Sequence, residues 1–276
     1  MQIKIISDNF NLGNASVGNE QDLNRGAMFG DGFFTTAVVN NGNVVNRDKH
    51  LARLKDSAER LNFNQWQDNE HTYAIEQTID KVAKDYPSSV LRISCSRKQK
   101  ERGYAIGDSA SILCEIHVHS MVKFQHESCY LSLAETPISV NAKLAGIKHL
   151  NRLDNVLAAS ECESTDHEVL MCNKENVICG SRSNLFIKLD GRWITPLIND
   201  CGIEGIMKSA VIENMKKVGV ECLSTILLKE ELVNISSAFI TNSIVGIWPV
   251  RTLDKRMLDL NCAKELQQQV ENINSK

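Results

Sequence analysis

Little in this sequence points to a membrane, a nucleic acid or a secreted scaffold. No apolar run approaches the roughly 20 residues that span a bilayer, so we expect no membrane partner. The 31 basic and 34 acidic side chains give a formal net charge of -3 without a basic block, which argues against nucleic acid as the main partner. The apolar run Ile3–Ile6 is too short for a signal peptide.

Cysteine pairs at metal-binding or redox spacing are also lacking. The nine cysteines are odd in number, scattered, and include no C-x-x-C pair, which argues against a disulfide framework or a zinc ribbon. His117 and His119 share one face of a predicted strand, but no third ligand lies near them in sequence, so a structural role is favoured over a metal site. We therefore expect reduced thiols in a cytoplasmic protein.

What the chain does contain is a mixture of strand and helix patterns over 276 residues, a length that can bury a large core. Hydrophobic residues make up 42% of it. Strands and helices follow one another without regular βαβ alternation, so we predict an α+β fold rather than a doubly wound nucleotide fold. We predict an N-terminal α+β domain over residues 1–120, a connection over 121–128 and a C-terminal domain over 129–276.

The periodicities predict the elements of both domains. The N-terminal domain is predicted to contain strands at 3–6, 33–40, 44–45, 90–96 and 111–119, helices at 47–61 and 70–84, a glycine-rich turn at 26–32 and a polar loop at 97–107. Asp48 is the predicted N-cap of the helix at 47–61. The C-terminal domain is predicted to contain strands at 130–133, 168–171, 176–179, 185–189, 192–195 and 237–241, and helices at 151–163, 206–217 and 262–273.

Lys148 is the most informative residue, because it lies between a glycine turn at Gly146 and a predicted helix that begins at Asn151. The positive end of a helix dipole opposes the charge of a nearby lysine, and burial acts in the same direction. The pKa can then fall until the neutral amine is a nucleophile, which is the chemistry of a Schiff-base lysine. A lysine in a turn is more often simply solvated, so this interpretation depends on other segments.

Three further segments could bind a ligand with Lys148. Arg53 lies one turn into a helix whose other face is apolar. Residues 179–186 form a polar turn of small residues between two strands, which can offer hydroxyls and amides. Gly205 precedes a helix, and helix N-termini bind phosphate through free N–H groups and the dipole. Each signal is weak alone.

Over nearly its whole length the chain resembles the class IV pyridoxal-phosphate (PLP) enzymes, the fold type IV family of branched-chain and D-amino-acid aminotransferases. The resemblance rests on the order of these motifs: Phe29-Gly-Asp-Gly-Phe-Phe-Thr-Thr36, His50-Leu-x-Arg-Leu54, Gly146-Ile-Lys-His-Leu-Asn-Arg-Leu153, Ser183-Asn-Leu-Phe186, Gly205-Ile-Met207, Thr241-Asn-Ser243 and Trp248-Pro-Val250. Within the family, Lys-His-Leu-Asn-Arg-Leu points to the 4-amino-4-deoxychorismate lyases. The resemblance implies two domains, a smaller N-terminal α/β domain and a larger C-terminal PLP-binding domain with a β-barrel-like core, in a homodimer with the cofactor between domains.

The resemblance also implies roles for individual residues. Lys148 would hold PLP through a Schiff base and then move the proton, and Arg53 would clamp the phosphate with paired hydrogen bonds. The other implied cofactor partners are the amides of Ile206 and Met207 and the hydroxyl of Ser243 at the phosphate, with Cys179, Ser183 and Asn184 at the ring.

Candidate substrate residues follow from the same resemblance. Thr36 is expected to face the substrate as a catalytic residue. Arg102 and Arg152 are candidates for the carboxylates of a dianionic substrate. Both have a structural alternative, because Arg102 could lie on a mobile loop and Arg152 could pair with Asp154 or Glu161.

Cys179 departs from the family pattern, since relatives usually carry a glutamate there that keeps the ring nitrogen protonated. A neutral thiol is a poor partner for a buried pyridinium. Either Cys179 is a thiolate, the nitrogen is unprotonated, or another acid reaches it; Glu175, in the preceding turn, is expected to point away. Asn24 likewise replaces a more usual aspartate before Arg25.

The function implied by the resemblance is a lyase that converts aminodeoxychorismate to p-aminobenzoate and pyruvate in folate biosynthesis. One rival interpretation is an aminotransferase acting on D-amino or branched-chain acids. Another is a PLP-binding homologue that has lost catalysis, which Cys179 makes worth testing.

Overall fold

The computed structural model describes residues 2–7, 23–67, 69–121, 127–164 and 166–274. The chain forms two compact units, Met1–Val122 with Ile147–Asn151, and Lys123–Gly146 with Arg152–Lys276. The short segment Ile147–Asn151 groups with the first unit, although the sequence placed all of 129–276 in the second domain. Of the predicted connection, residues 122–126 lie outside the described residues.

Within its described residues, the first unit contains a six-stranded sheet of order β1-β6-β5-β3-β4, with β2 paired to β5. Its elements are β1 (Gln2–Ser7), β2 (Leu23–Asn24), α1 (Arg25–Phe29), β3 (Gly32–Asn40), β4 (Asn43–Val44), α2 (Arg47–Arg60), α3 (Asn69–Asp85), β5 (Ser88–Gln99) and β6 (Ser111–Ser120). One sheet face is buried with α2 and α3 in an apolar core that includes Phe33, Leu54, Ile79, Leu91 and Ile116. The opposite face of β3 carries Phe34 and Thr36, because side chains alternate along a strand.

Two local predictions in this unit are wrong. The glycine-rich turn at 26–32 begins as the helix α1, because the Asn24 side chain accepts a hydrogen bond from the Ala27 amide (3.2 Å) and Gly30 ends the helix at φ 67°. Asp48 is not the N-cap of α2. Asn46 holds that position in the left-handed conformation, and Asp48 lies in the first turn of the helix.

The second unit is built on a ten-stranded sheet of order β12-β11-β10-β14-β15-β7-β8-β9-β13, with β16 paired to β15. Its strands are β7 (Cys129–Leu133), β8 (His167–Asn173), β9 (Asn176–Gly180), β10 (Asn184–Leu189), β11 (Arg192–Pro196), β12 (Cys222–Thr225), β13 (Leu227–Leu228), β14 (Ser237–Asn242), β15 (Gly246–Leu253) and β16 (Arg256–Met257). Its helices are α4 (Leu153–Ser160), α5 (Ile206–Lys217) and α6 (Leu260–Asn274). Helix α5 has the predicted bounds. Strand β15 escaped prediction because Pro249 interrupts its pattern, and α4 is shorter than the predicted 151–163.

The predicted α+β class is confirmed, since both units mix strands with helices. Among the described residues, no helix combines the length and the apolar character needed to cross a membrane.

Candidate active site

Lys148 lies on an extended segment that pairs with the beginning of β3. The amide of Phe34 donates to the Lys148 carbonyl (2.9 Å), and the amide of Leu150 donates to the Gly32 carbonyl (2.9 Å). His149 and Phe33 form the antiparallel bridge between these two bonds. The backbone from the Lys148 carbonyl to Leu150 is therefore fixed to the sheet of the first unit.

Because of this pairing, Lys148 does not lie at the start of a helix, where the sequence predicted it. Helix α4 begins at Leu153, not at Asn151, because the hydrogen bonds to β3 keep the chain extended as far as Leu150. A helix dipole acts mainly within its first turn. Lys148 precedes the first helical residue by five positions, so the helix dipole does not support the lowered pKa that the sequence predicted for it.

The lysine side chain lies beside Arg92, on the sheet face opposite the apolar core. Its Nζ is 4.6 Å from the centroid of the Phe34 ring, and the guanidinium carbon of Arg92 is 4.0 Å from the same centroid. Arg92 is the β-sheet partner of Thr36, so both side chains point to this face. The first unit thus brings together Lys148, Thr36 and Arg92 around Phe34.

Sequence reasoning missed Arg92. The signal that could have found it was the register of β3 against β5, because that register places Arg92 opposite Thr36. Burial lowers the pKa of the Arg92 guanidinium from its usual value.

Arg53 lies on α2, one turn after a buried histidine. Thr35 Oγ1 and His50 Nδ1 are 2.7 Å apart, and His50 is 2% exposed. Burial, followed by the charge of Arg53, lowers the pKa of His50 to about 3. The imidazole is therefore neutral at pH 7. Its contact with Thr35 fixes α2, the helix that carries Arg53, to β3.

His50 makes a testable contribution to pH-dependent stability. Its folded pKa lies below the unfolded value of 6.5, so the unfolded chain binds more protons as the pH falls below 6.5. The free energy of unfolding therefore carries no penalty from His50 above pH 6.5, and it falls on acidification. Between pH 6.5 and 5 we expect the wild type to lose about 1.5 kcal/mol more unfolding free energy than His50→Asn. Urea titrations at both pH values measure the difference, and equal losses in the two proteins would contradict the prediction.

Arg102 is exposed on the loop between β5 and β6. The loop backbone around it is held by the buried side chains of Arg25 and Gln99 of the same unit. The expectation of a substrate contact for Arg102 stays a prediction.

In the second unit, a buried carboxylate organises the turn that carries Ser183. Glu168 is 0% exposed. Its Oε1 accepts hydrogen bonds from the Ser181 amide (3.1 Å) and hydroxyl (2.6 Å), and its Oε2 accepts from the Ser183 hydroxyl (2.8 Å) and the Arg182 amide (3.3 Å). Sequence reasoning missed Glu168, which lies two strands earlier in the chain.

Asn184 connects that turn to the beginning of α5. Its Nδ2 donates to the Ile203 carbonyl (3.0 Å), and a Cβ on Gly205 would lie 1.9 Å from its Oδ1. Gly205 is the N-cap of α5 and supplies no side-chain cap, so the first amides of the helix, at Ile206 and Met207, are available to an external acceptor. A phosphate is the ligand that such a helix start prefers.

Ser243 is brought to the same part of the second unit. Strands β10 and β14 pair Asn184 with Thr241. Asn242 then donates to the Arg182 carbonyl (3.3 Å) and accepts from the amides of Ile244 and Val245, which folds the turn around Ser243. The second unit therefore groups the hydroxyls, amide and helix start that the sequence proposed for the cofactor.

Cys179 and Arg152 also belong to the second unit. Burial, followed by the charge of Glu168, raises the pKa of the Cys179 thiol to about 12, so it is neutral at pH 7. Burial lowers the pKa of Arg152 to about 10, and the charge of Asp154 opposes that shift. Arg152 donates to Asn155 Oδ1 (3.3 Å), whose amide donates to the Ser181 carbonyl (2.7 Å).

The raised pKa argues against a thiolate at Cys179, which was the first of the three alternatives. The exposed Glu175 lies in the turn between β8 and β9, as expected. Within the described residues, no group of three or more metal-ligating side chains is found, and the rings of His117 and His119 stack 6.2 Å apart.

The fold and these residues define a class of protein. In the first unit, a lysine on a fixed segment and an arginine beside a neutral histidine fit PLP chemically, because the cofactor needs an amine for its aldehyde and donors for its phosphate. In the second unit, a helix start beside an asparagine and two serines fits the phosphate in the same way. The fold and these two groups of residues are those of a fold type IV PLP enzyme.

The chain belongs to the class IV aminotransferase family, whose model matches residues 32–253. Members of this family depend on PLP, so the cofactor expected from the motifs is confirmed at the level of the family.

Individual relatives include both lyases and aminotransferases. The chain is 31% identical to the solved structure of 4-amino-4-deoxychorismate lyase from Pseudomonas aeruginosa, with a TM-score of 0.84 over 94% of this chain and 96% of that one. It is 26% identical to aminodeoxychorismate lyase of Vibrio harveyi over 82% of this chain and 84% of the relative. It is also 22% identical to D-alanine aminotransferase of Bacillus licheniformis over 83% of this chain and 81% of the relative.

Proposed function

We propose that this protein is a PLP-dependent lyase that converts 4-amino-4-deoxychorismate to p-aminobenzoate and pyruvate. The observation that carries the proposal is the similarity to the Pseudomonas aeruginosa lyase over 94% of the chain. The Lys-His-Leu-Asn-Arg-Leu stretch at 148–153 supports the same choice within the family.

PLP, when bound to the substrate amine, supplies an electron sink. We propose that Lys148 binds PLP and removes the proton from C4 of the substrate. The same amine then holds that proton. The bond from C3 to the enolpyruvyl oxygen breaks, and the leaving group takes up a proton to become pyruvate. The ring becomes aromatic, which drives the reaction toward products. Atoms balance without water or a second substrate.

The remaining residues would bind and orient. Arg53, the amides of Ile206 and Met207, and Ser243 are proposed to hold the phosphate, and Ser183, Asn184 and Cys179 to line the cofactor ring. Arg92 adds a guanidinium beside Thr36 and Phe34 on the face that carries Lys148. We propose that Arg92, with Arg102, binds a carboxylate of the anionic substrate. Arg152 stays a candidate for the same task.

The direct test is pyruvate release from aminodeoxychorismate, coupled to lactate dehydrogenase and NADH, with the purified, PLP-loaded protein. We expect one p-aminobenzoate for each pyruvate. The second candidate, an aminotransferase, is favoured by the similarity to D-alanine aminotransferase. Amino exchange with 2-oxo acids without pyruvate release would establish it. A colourless protein with added PLP would contradict both candidates, and a yellow protein with neither activity would indicate a PLP-binding homologue that has lost catalysis.

The neutral thiol of Cys179 provides a sharper comparison between these activities. A weaker electron sink is expected to impair amino transfer more than elimination, which aromatisation drives. We expect Cys179→Glu to raise amino exchange about tenfold while pyruvate release changes less than about threefold. Cys179→Ser is the matched neutral control. A severalfold gain in pyruvate release by Cys179→Glu would show that the thiol is a handicap for the lyase.

We also propose a homodimer. Helix α4 exposes Leu153, Val156 and Leu157 at 64%, 61% and 50%, at the spacing of one helical face. Sedimentation of the holoenzyme at micromolar concentration is expected to give twice the 30.8 kDa chain mass. A monomer mass would contradict this proposal.

A reducing cytoplasm is the proposed location, because all nine cysteines are free. Disulfides found in protein isolated under thiol-blocking conditions would contradict it.

A further inference from the structure

Arg25 of α1 is a buried cation whose hydrogen bonds converge on one loop. It is 4% exposed, and its Nε donates to Asp31 Oδ2 (2.7 Å). Its two terminal nitrogens donate to three consecutive carbonyls, those of Gly103 (2.8 Å), Tyr104 (2.8 Å) and Ala105 (3.3 Å). A buried charge is costly unless paired, so this loop backbone is part of what keeps Arg25 stable.

Asp31 cannot neutralise Arg25 alone, because it is shared. Its other oxygen accepts from Arg97 Nη1 (2.5 Å), and Arg97 is also 4% exposed and donates to the Leu61 carbonyl. Two buried guanidinium groups therefore face one carboxylate. The three loop carbonyls provide the remaining acceptors of Arg25, which ties the loop conformation to the position of α1.

The same part of the chain also fixes the lysine segment. Gly32, which follows Asp31, accepts the hydrogen bond from the Leu150 amide. At Gly30, a Cβ would lie 3.0 Å from the Cβ of Asn151. Residues 25–32 therefore contact the 103–105 loop on one side and the Lys148 segment on the other.

The loop is held from within but presents its side chains outward. The buried Gln99 donates to the carbonyls of Glu101 (2.9 Å) and Ala105 (3.1 Å) and accepts from the Gly107 amide (3.1 Å). In contrast, Arg102 is exposed and Tyr104 is 83% exposed. Tyr104 also contacts the Phe29 ring, with centroids 5.1 Å apart. A fixed backbone with outward-facing polar side chains is the form of a preorganised recognition loop, because binding then costs less ordering entropy.

We propose that Arg25 is a positioning residue, which acts through the 103–105 backbone to hold Arg102 and Tyr104 ready for an anionic substrate. The proposal rests on the proposed function for the identity of the substrate. It predicts that Arg25 affects substrate binding and leaves the chemical step and the cofactor unaffected.

The test is Arg25→Lys in the PLP-loaded protein. An ammonium is a point donor and cannot bond Asp31 and three carbonyls in one plane. We expect KM for aminodeoxychorismate to rise about tenfold, with kcat within about twofold of wild type and an unchanged PLP absorbance. A loss of kcat or of PLP absorbance, or an unchanged KM, would overturn the proposal. Arg60→Lys, on the exposed side of α2, is the matched control.

A double-mutant cycle distinguishes positioning from general destabilisation. If Arg25 acts through Arg102, then Arg25→Lys should raise KM less than about twofold in an Arg102→Ala background. Independent, multiplicative effects would overturn the proposal.

Loop order can also be measured without substrate. This measurement distinguishes a failure of the positioning proposal from a failure of the lyase assignment. Trypsin cleavage after Arg102, followed by mass spectrometry, is expected to be at least about fivefold faster in Arg25→Lys. If Arg25→Lys does not fold, Gly103→Ala tests the same loop, since Gly103 has φ 91° and open space around a Cβ. It should raise KM and cleavage in the same way. Wild-type cleavage rates in both variants would overturn the proposal, whichever reaction the protein catalyses.

Discussion

Replacing Lys148 by alanine is expected to abolish turnover and to remove the imine absorbance of the bound cofactor. The side chain is proposed both as the covalent anchor and as the base, and loss of a positioned acid–base group alone costs about 10²–10⁴-fold. We therefore expect pyruvate release to fall on the order of 10³-fold or more. The fold should remain, because the residue's structural bonds to Phe34 and β3 come from the backbone.

Two controls make this experiment specific. Lys143→Ala removes an exposed lysine five residues earlier and should retain activity within about twofold. Adding a small primary amine to Lys148→Ala should restore part of the turnover, since it can replace the missing base. Wild-type pyruvate release by Lys148→Ala would contradict the proposed role.

Glu168→Gln is expected to be the most damaging single-atom change in the second unit. The carboxylate accepts hydrogen bonds from two hydroxyls and from the backbone of residues 169 and 181–182, and all but the bond from the Arg182 amide are buried. The variant presents an amide N–H₂ to at least one of these donors. Each unsatisfied buried group costs about 1–3 kcal/mol, so we expect a loss of about 3 kcal/mol and a Tm lower by about 6–10 °C.

The same variant should weaken PLP binding, because the turn that Glu168 holds carries Ser183 and Asn184. Thermal denaturation of the apo protein measures the first effect, and an absorbance titration with PLP measures the second. Glu175→Gln changes an exposed glutamate on the turn between β8 and β9. It should change neither the Tm nor PLP binding. If Glu168→Gln melts within about 1 °C of wild type, the carboxylate is not the anchor of this turn.

Local sequence determined much of the framework of this protein. Strands β3, β10 and β11 and helices α2 and α5 follow from side-chain periodicity, which short-range sterics and burial on one face impose. The motif order around Lys148 and Asn184 identified the family, and the family match spans residues 32–253. These features depend on residues close together in the chain.

Only the tertiary structure determined which groups surround each site residue, because those groups come from distant segments of the chain. Lys148 was expected beside a helix dipole, but pairing with β3 keeps it extended and places it over Phe34 with Arg92. Glu168 and Arg25 carry no motif that predicts their roles, because the turn that Glu168 holds begins 13 positions away and the loop that Arg25 holds begins 78 positions away. Sequence spacing determines which face a side chain occupies. Strand register and burial determine which charge or carbonyl it meets there.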